Sequence, residues 1–344
     1  MSPTTNVTVL VPAWNDAREL PGTLDALARA ASTIDGIEVV VAAGGEPGQY
    51  EEARRLGSEF AAGPCTVIPQ RPLGKMRALR EAMETVSSRP ARYLLVLDAD
   101  TRIDADGLAA ATVFLDQHAE LAGIGGLFRW DVPGVGATHD RVNIACQTLE
   151  VGLTSVSGGA IMLRGGLVWP HWQQIFAEHD YPLHIDYQIC ERIAALTGLS
   201  FVVHPAFTMQ TPRARGFSFL ESERRHHRAM FARAPIASSG RYVAGAALTT
   251  ALPVLAPLAF AAGLVPVLWP VALPAAFLCA RRVWLLKRRY DRACRVDAAV
   301  ASSSSFPAFL RDEWVFAFSA LLGVADRFFA GVEPASFRGY RSGP

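Results

Sequence analysis

The stretch "YLLVLDADT", residues 93 to 101, runs from Tyr93 to Leu97 through apolar side chains and then delivers two carboxylates, Asp98 and Asp100, one alanine apart. In an extended chain alternate side chains share a face, so the two point the same way while the strand lasts. Two anions that close repel unless a cation lies between them. A pair of hard oxygen donors suits Mg2+ or Mn2+, which keep coordination positions open for phosphate oxygens and can neutralise charge on a departing diphosphate. The competing reading is a capped helix start, since "DADTRIDADGL" offers several capping side chains. Asp186 in "HIDYQICERIAALTG" (184–198) reads as a plausible N-cap of an amphipathic helix. Lys75 and Arg77 read on their own as solvated cations at a helix start.

The elements that would carry these residues follow from the apolar pattern. Short β-rich runs at 7–12, 37–43, 65–68 and 93–99 alternate with amphipathic segments near 16–33, 48–61, 75–88 and 104–118. That rhythm predicts βαβ units and a parallel sheet, whose ligands gather at the carboxyl ends of strands, where Asp98 and Asp100 fall. From 131 to 230 the pattern is less regular, with helices expected at 139–152, 166–178, 185–197 and 217–232 and an apolar run at 199–205.

Composition bounds the class. Hydrophobic residues make up 51% of the 344 and charged ones 19%, with a mean hydropathy of +0.20, which points to a chain that partly meets lipid. The net charge of +1 gives no global basic field, so nucleic acid is not expected as a partner. Five scattered cysteines without C-x-x-C spacing read as reduced thiols, not as a disulfide or zinc framework. The amino terminus shows no signal-peptide pattern, which puts the first part of the chain in the cytoplasm.

After Arg241 the next charge is Arg281, so the 39 residues from Tyr242 to Ala280 carry none. As one helix they would reach about 58 Å, roughly twice a ~30 Å hydrocarbon layer, so two crossings are expected. Pro266 and Pro270 mark the expected break. Basic residues flank both ends, from Arg224 to Arg241 and from Arg281 to Arg295, which places both on the cytoplasmic side of a cell membrane and makes the segment a hairpin. "WVFAFSALLGVA" (314–325) is too short for an ordinary span and is expected in the interface or beside the hairpin, with a third crossing open. "ASSSS" (301–305) reads as a linker. The expected domains are 1–232 catalytic, 233–290 transmembrane hairpin with basic flanks, and 291–344 linker with an interfacial or third membrane helix.

Several segments, taken in order, carry a resemblance. "VLVPAWNDARELPGTLDAL" (9–27), "RPLGKMRALREAM" (71–83), "LLVLDADTRIDADGL" (94–108), "SGGAIMLRGGLV" (157–168) and "HIDYQICERIAALTG" (184–198) resemble, in that sequence, the motifs of family 2 glycosyltransferases. The resemblance implies an α/β GT-A fold (a Rossmann-like mixed sheet with flanking helices), a nucleotide-sugar donor, Mg2+ or Mn2+, and inversion at the anomeric carbon. Carried over by residue, it implies that Pro12, Ala13 and Asp16 line the nucleotide pocket, with Asp16 standing where the family more often has glutamate. It makes Asp98 a contact to the donor and to the metal, Asp100 the metal ligand, Lys75 a diphosphate or loop contact, and Asp186 the general base. "AAGG" (42–45) replaces the family's D-D-G-S, so the carboxylate that commonly reads uracil is absent and a UDP-sugar is only a lean. The processive Q-x-x-R-W signature is represented at best by "ERRHH" (223–227), which favours single transfer. His226 and His227 are candidates for diphosphate or lipid headgroups, and His204 for a phosphate, metal or structural role. A polyprenyl-phosphate acceptor would need no base, leaving Asp186 to orient it. Two other readings compete with the enzyme: a GT-A-like membrane scaffold without catalysis, and a haloacid-dehalogenase-type phosphotransferase, which also ends a strand on D-x-D.

Overall fold

The computed structural model describes residues 6–71, 74–129, 137–148, 152–156, 158–177, 185–211, 224, 227 and 265–329. The chain divides into two compact units. One comprises Met1–Asp131, Gln147–Pro212 and Tyr340–Pro344, the other Val132–Cys146 and Arg213–Gly339.

The first unit is built on one eight-stranded sheet. Its elements are β1 (Val7–Trp14), α1 (Leu20–Ala31), β2 (Ile37–Gly44), α2 (Gln49–Glu59), β3 (Cys65–Pro69), α3 (Lys75–Val86), β4 (Tyr93–Leu97), β5 (Arg102–Ile103), α4 (Gly107–Gln117) and β6 (Leu121–Arg129). After α5 (Ala137–Gln147), most of which belongs to the second unit, come β7 (Ala160–Arg164), α6 (Gly165–Val168), a 3-10 turn at Trp169–His171, α7 (Trp172–Ile175), α8 (Ile185–Thr197) and β8 (Ser200–Gln210). Strand order is β3-β2-β1-β4-β7-β6-β8-β5. The half from β3 to β4 is parallel, as the βαβ rhythm predicts. β7 then enters antiparallel to β4 and to β6, so the whole sheet is mixed.

Helices cover both faces of the parallel half, which is why β1, β2 and β4 are almost continuously apolar. Val7, Val9, Val11, Val39, Val41, Leu95 and Leu97 form one core with Leu20, Leu24 and Leu27 of α1, Leu56 of α2 and Leu108 and Leu115 of α4. Each fully buried side chain of that size contributes on the order of 1.5–3 kcal/mol before chain entropy is charged against it. α3 packs against β1 and β2. Pairing of β1 with β4 ends at Leu10↔Val96, while β1 continues beside β2 to Trp14↔Gly44. Pro12 falls where the β4 ladder has stopped, a place that tolerates a residue without an amide proton.

The second unit is helical in its described part: α5, α9 (Val265–Val296), α10 (Ala298–Ser303) and α11 (Phe306–Phe329). Val142, Ala145 and Cys146 pack with Leu286, Tyr290, Ala293, Val300 and Phe309. Glu313 is 3% exposed, with His139 Nδ1 2.9 Å from one oxygen and Arg282 3.3 Å from the other. Three expectations change here. Pro266 and Pro270 do not break the chain within the described residues: both lie inside α9, which continues past them to Val296. The expected "ASSSS" linker is largely the short helix α10. The 314–325 stretch is the middle of a 24-residue helix, because Phe306 and Phe309 extend the buried face on its amino-terminal side. Residues 242–264 of the expected hairpin, and most of the helix expected at 217–232, lie outside the described residues. Among the described residues no helix is long and apolar enough to cross a membrane.

Candidate active site

The carboxyl edge of the parallel strands begins at Trp14 and Asn15. Asn15 takes a positive φ of 62°, a conformation asparagine tolerates better than most residues. Its amide donates to the Gly44 carbonyl (2.9 Å) and its Oδ1 accepts from the Glu46 amide (2.6 Å). A Cβ on Gly45, at φ 124°, would lie 1.9 Å from that Oδ1, and one on Gly44 would lie 2.4 Å from the Gln70 carbonyl oxygen. This is the physical reason for the glycines in "AAGG". Ala42 and Ala43, the other half of that stretch, are buried in β2. Asp16 folds back so that its Oδ2 accepts from the Trp14 amide (3.2 Å). Burial pushes Asp16 up to about 6, with Asp98 and Glu19 adding to the rise and the Trp14 amide and Lys75 opposing it. Ala13 is 3% exposed and belongs to the core, so what it presents at this edge is backbone.

Asp98 and Asp100 meet by a different route from strand alternation. β4 ends at Leu97, and a turn closed by the Thr101 amide on the Asp98 carbonyl (3.0 Å) carries both carboxylates. Thr23 of α1, fully buried, donates its hydroxyl to the Ala99 carbonyl (2.7 Å) and so fixes the middle of the turn. On its other side the Asp98 amide donates to the Gly159 carbonyl (2.8 Å). Lys75, the first residue of α3, forms an ion pair and hydrogen bond with Asp98. Gly74 before it has φ 94°, which lets the chain turn into the helix at that point. Burial opposes the Lys75 charge, yet Asp98, Asp186 and Asp100 outweigh it and hold the ammonium pKa above its ordinary value. For Asp100, burial first and then Asp98 and Asp16 push the carboxyl up to about 7, against the pull of Lys75. Arg77, by contrast, donates along its own helix to Glu81 (3.1 Å).

Asp186 stands in the first turn of α8, and its Oδ2 accepts from the Gly158 amide (2.5 Å). A Cβ on Gly158 would lie 2.7 Å from the Asp186 carboxyl carbon and 2.7 Å from its Oδ2. Gly158→Ala is therefore expected to displace Asp186 and, on the expectation that Asp186 is the base, to cut transfer roughly 100-fold, since a shift of about 1 Å in a reacting group has that cost. Donor affinity, measured by titration calorimetry, stays at the wild-type value. The Gly158–Asp186 bond was not legible from sequence; the run of small residues at 157–160 was its one signal. The motif segment 157–168 forms β7 and α6 from Ala160 onward.

The histidines fall elsewhere. His204 lies on β8 with its ring 4.2 Å from that of Phe114. His227 is fully buried in the second unit, its Nδ1 3.2 Å from Ser319 Oγ and its ring edge-on to Phe316. That position corrects its expected exposure to headgroups or diphosphate: a ring packed on Phe316 is out of reach of both. His226 lies outside the described residues.

Among the described residues no group of three or more His, Cys, Asp or Glu side chains is arranged to hold a metal. Mg2+ and Mn2+ commonly take one or two carboxylates and complete their shell with phosphate and water. Asp98 and Asp100 offer that smaller set. Asp98 raises the proton affinity of Asp16, and Asp98 and Asp16 raise that of Asp100, with Lys75 opposing both, so among the described residues the cluster carries more negative than positive charge. The residues present fit a divalent cation.

A mixed sheet with a parallel half ending in acidic turns, flanked by helices on both faces, is a GT-A-like α/β fold. The profile described as "Glycosyltransferase like family 2" matches residues 3–232, and the chain belongs to that family. The phosphotransferase alternative is thereby set aside. Among solved structures, the mannosyltransferase PcManGT from Pyrobaculum calidifontis, in complex with GDP-Man and Mn2+, is similar with a TM-score of 0.56 at 17% identity, over 96% of this chain and 89% of that one. A second is S. aureus TarS 1–349 in complex with UDP-GlcNAc, with a TM-score of 0.46 at 12% identity, over 94% of this chain and 92% of that one. No curated protein matches the sequence.

Proposed function

We propose that the chain moves a single sugar from a nucleotide-sugar donor to a lipid or lipid-linked acceptor, with inversion, at the cytoplasmic face of a membrane. The observation that carries the donor half is the convergence of Asp16, Lys75, Asp98, Asp100 and Asp186 at one sheet edge of a family 2 chain. Pro12, Ala13 and Asp16 border the base and ribose, while Asp98 and Asp100 hold Mg2+ or Mn2+. The metal, when bound, offsets negative charge on the leaving diphosphate. Lys75 supplies a second positive charge to the same phosphates. Asp186, held by the Gly158 amide, accepts the proton of an acceptor hydroxyl as that oxygen attacks the anomeric carbon and the diphosphate leaves from the opposite face.

Support for a bilayer acceptor comes from the 39 uncharged residues between Arg241 and Arg281 and from the basic flanks, which would hold the catalytic unit at the cytoplasmic surface. The base and sugar of the donor stay open, and GDP-Man in one structural relative puts GDP-sugars beside UDP-sugars for testing. The test is turnover of UDP-, GDP- and TDP-sugars by detergent-purified full chain, with Mn2+ or with EDTA. Metal-dependent release of one nucleoside diphosphate is expected. Failure to bind or turn over any of these donors would leave the non-catalytic scaffold as the better account.

A further inference from the structure

Lys75 is placed where its own helix gives it no support. A cation at a helix amino terminus faces the positive end of the dipole, and α3 has no acidic residue in its first turn to offset this. Partial burial removes water from the ammonium as well. What compensates comes from across the site: the ion pair with Asp98, with Asp186 and Asp100 also close enough to act on the charge. Among the described residues, the Lys75 ammonium therefore lies in the field of three carboxylates and on one of the two oxygen donors that a divalent ion needs.

We propose that Lys75 is a built-in counter-ion that holds Asp98 until a nucleoside diphosphate draws it away, and that this exchange makes metal and donor binding depend on each other. The inference rests on the metal-dependent reading above and adds a route to it. An ammonium and a divalent ion that share Asp98 repel, so metal arriving alone must first displace Lys75. A diphosphate gives the ammonium a more strongly charged partner, and the four-carbon stem of lysine is flexible enough to reach it. Asp98 is then free to ligate. By linkage, the factor by which the nucleotide strengthens metal binding equals that by which the metal strengthens nucleotide binding.

The experiment counts free Mn2+ by its EPR signal in solutions of the full chain, without nucleotide and with UDP or GDP. Wild type is expected to bind Mn2+ weakly alone and more tightly with nucleotide. Lys75→Met is expected to bind Mn2+ alone about tenfold more tightly than wild type, and to lose a similar factor from the nucleotide effect. Lys75→Arg keeps the wild-type dependence. A melting scan in EDTA checks folding, and Lys75→Met, left with uncompensated carboxylates, melts lower and regains more from Mn2+ than wild type does. Unchanged or weaker Mn2+ binding by Lys75→Met overturns the proposal. So does equal Mn2+ affinity of wild type with and without nucleotide, a result that needs no variant. Absence of Mn2+ binding to wild type in both conditions overturns the metal reading itself and is thereby told apart from the failure of the Lys75 exchange.

Discussion

Asp100→Asn is expected to abolish metal-dependent turnover and, in EDTA, to raise the melting temperature. The two effects have one cause. Burial, Asp98 and Asp16 raise the Asp100 carboxyl from 3.8 to about 7, so the folded chain holds a proton there more tightly than the unfolded chain does. The sign follows from linkage: a raised folded value means the fold is favoured while the group stays protonated, and that contribution is lost as pH climbs from about 4 to about 7. At pH 8 wild type carries the whole penalty, on the order of 2–4 kcal/mol, and asparagine removes it. Near pH 3 both chains are neutral at this position and melt alike. Mn2+ narrows the gap at pH 8, because it binds the folded wild type and not the variant. Turnover should fall by on the order of 10²–10³-fold, the usual result of removing one electrostatic contact to a developing charge. A variant that melts lower in EDTA and keeps its Mn2+ dependence would refute the assignment of Asp100.

Asp186→Asn comes second in size. The asparagine oxygen can still accept from the Gly158 amide, so the local fold and donor affinity should persist. What disappears is the capacity to take a proton. Transfer to a hydroxyl acceptor is expected to drop about 10²–10⁴-fold, read as acceptor-dependent release of nucleoside diphosphate. An acceptor phosphate already ionised at neutral pH needs no base, and with that substrate the loss should be slight. The same variant therefore distinguishes the two acceptor chemistries. Full activity on a hydroxyl acceptor would exclude Asp186 as the base.

The parallel half was legible because β1, β2 and β4 are uninterrupted apolar runs separated by amphipathic helices, and a strand covered on both faces must look that way. β6 was not. The apolar pattern assigns no strand to "LAGIGGLFR", where a Cβ on Gly123 would lie 2.5 Å from the Met162 carbonyl oxygen and one on Gly125 2.7 Å from Val156. Its glycines answer to neighbours distant in sequence, which propensity does not register. The carboxylates were found for a partly wrong reason, since the strand stops at Leu97 and a turn, not the pleat, sets their relation. Lys75 was left between two roles because its partner lies 23 residues away and meets it only once β1 has paired with β4 and α3 has packed on β1. Asp16, Asp98, Asp100 and Asp186 stood out because their motifs recur in a fixed order. The bonds that hold them, from Thr23, Gly158 and Gly159, are carried by backbone or by side chains too common to stand out.

Gly158 and Gly159 are neighbours that grip opposite ends of the chemistry: the amide of one fastens Asp186, and the carbonyl of the other fastens Asp98. A single peptide link acts as the gauge between the atom that would leave and the atom that would deprotonate.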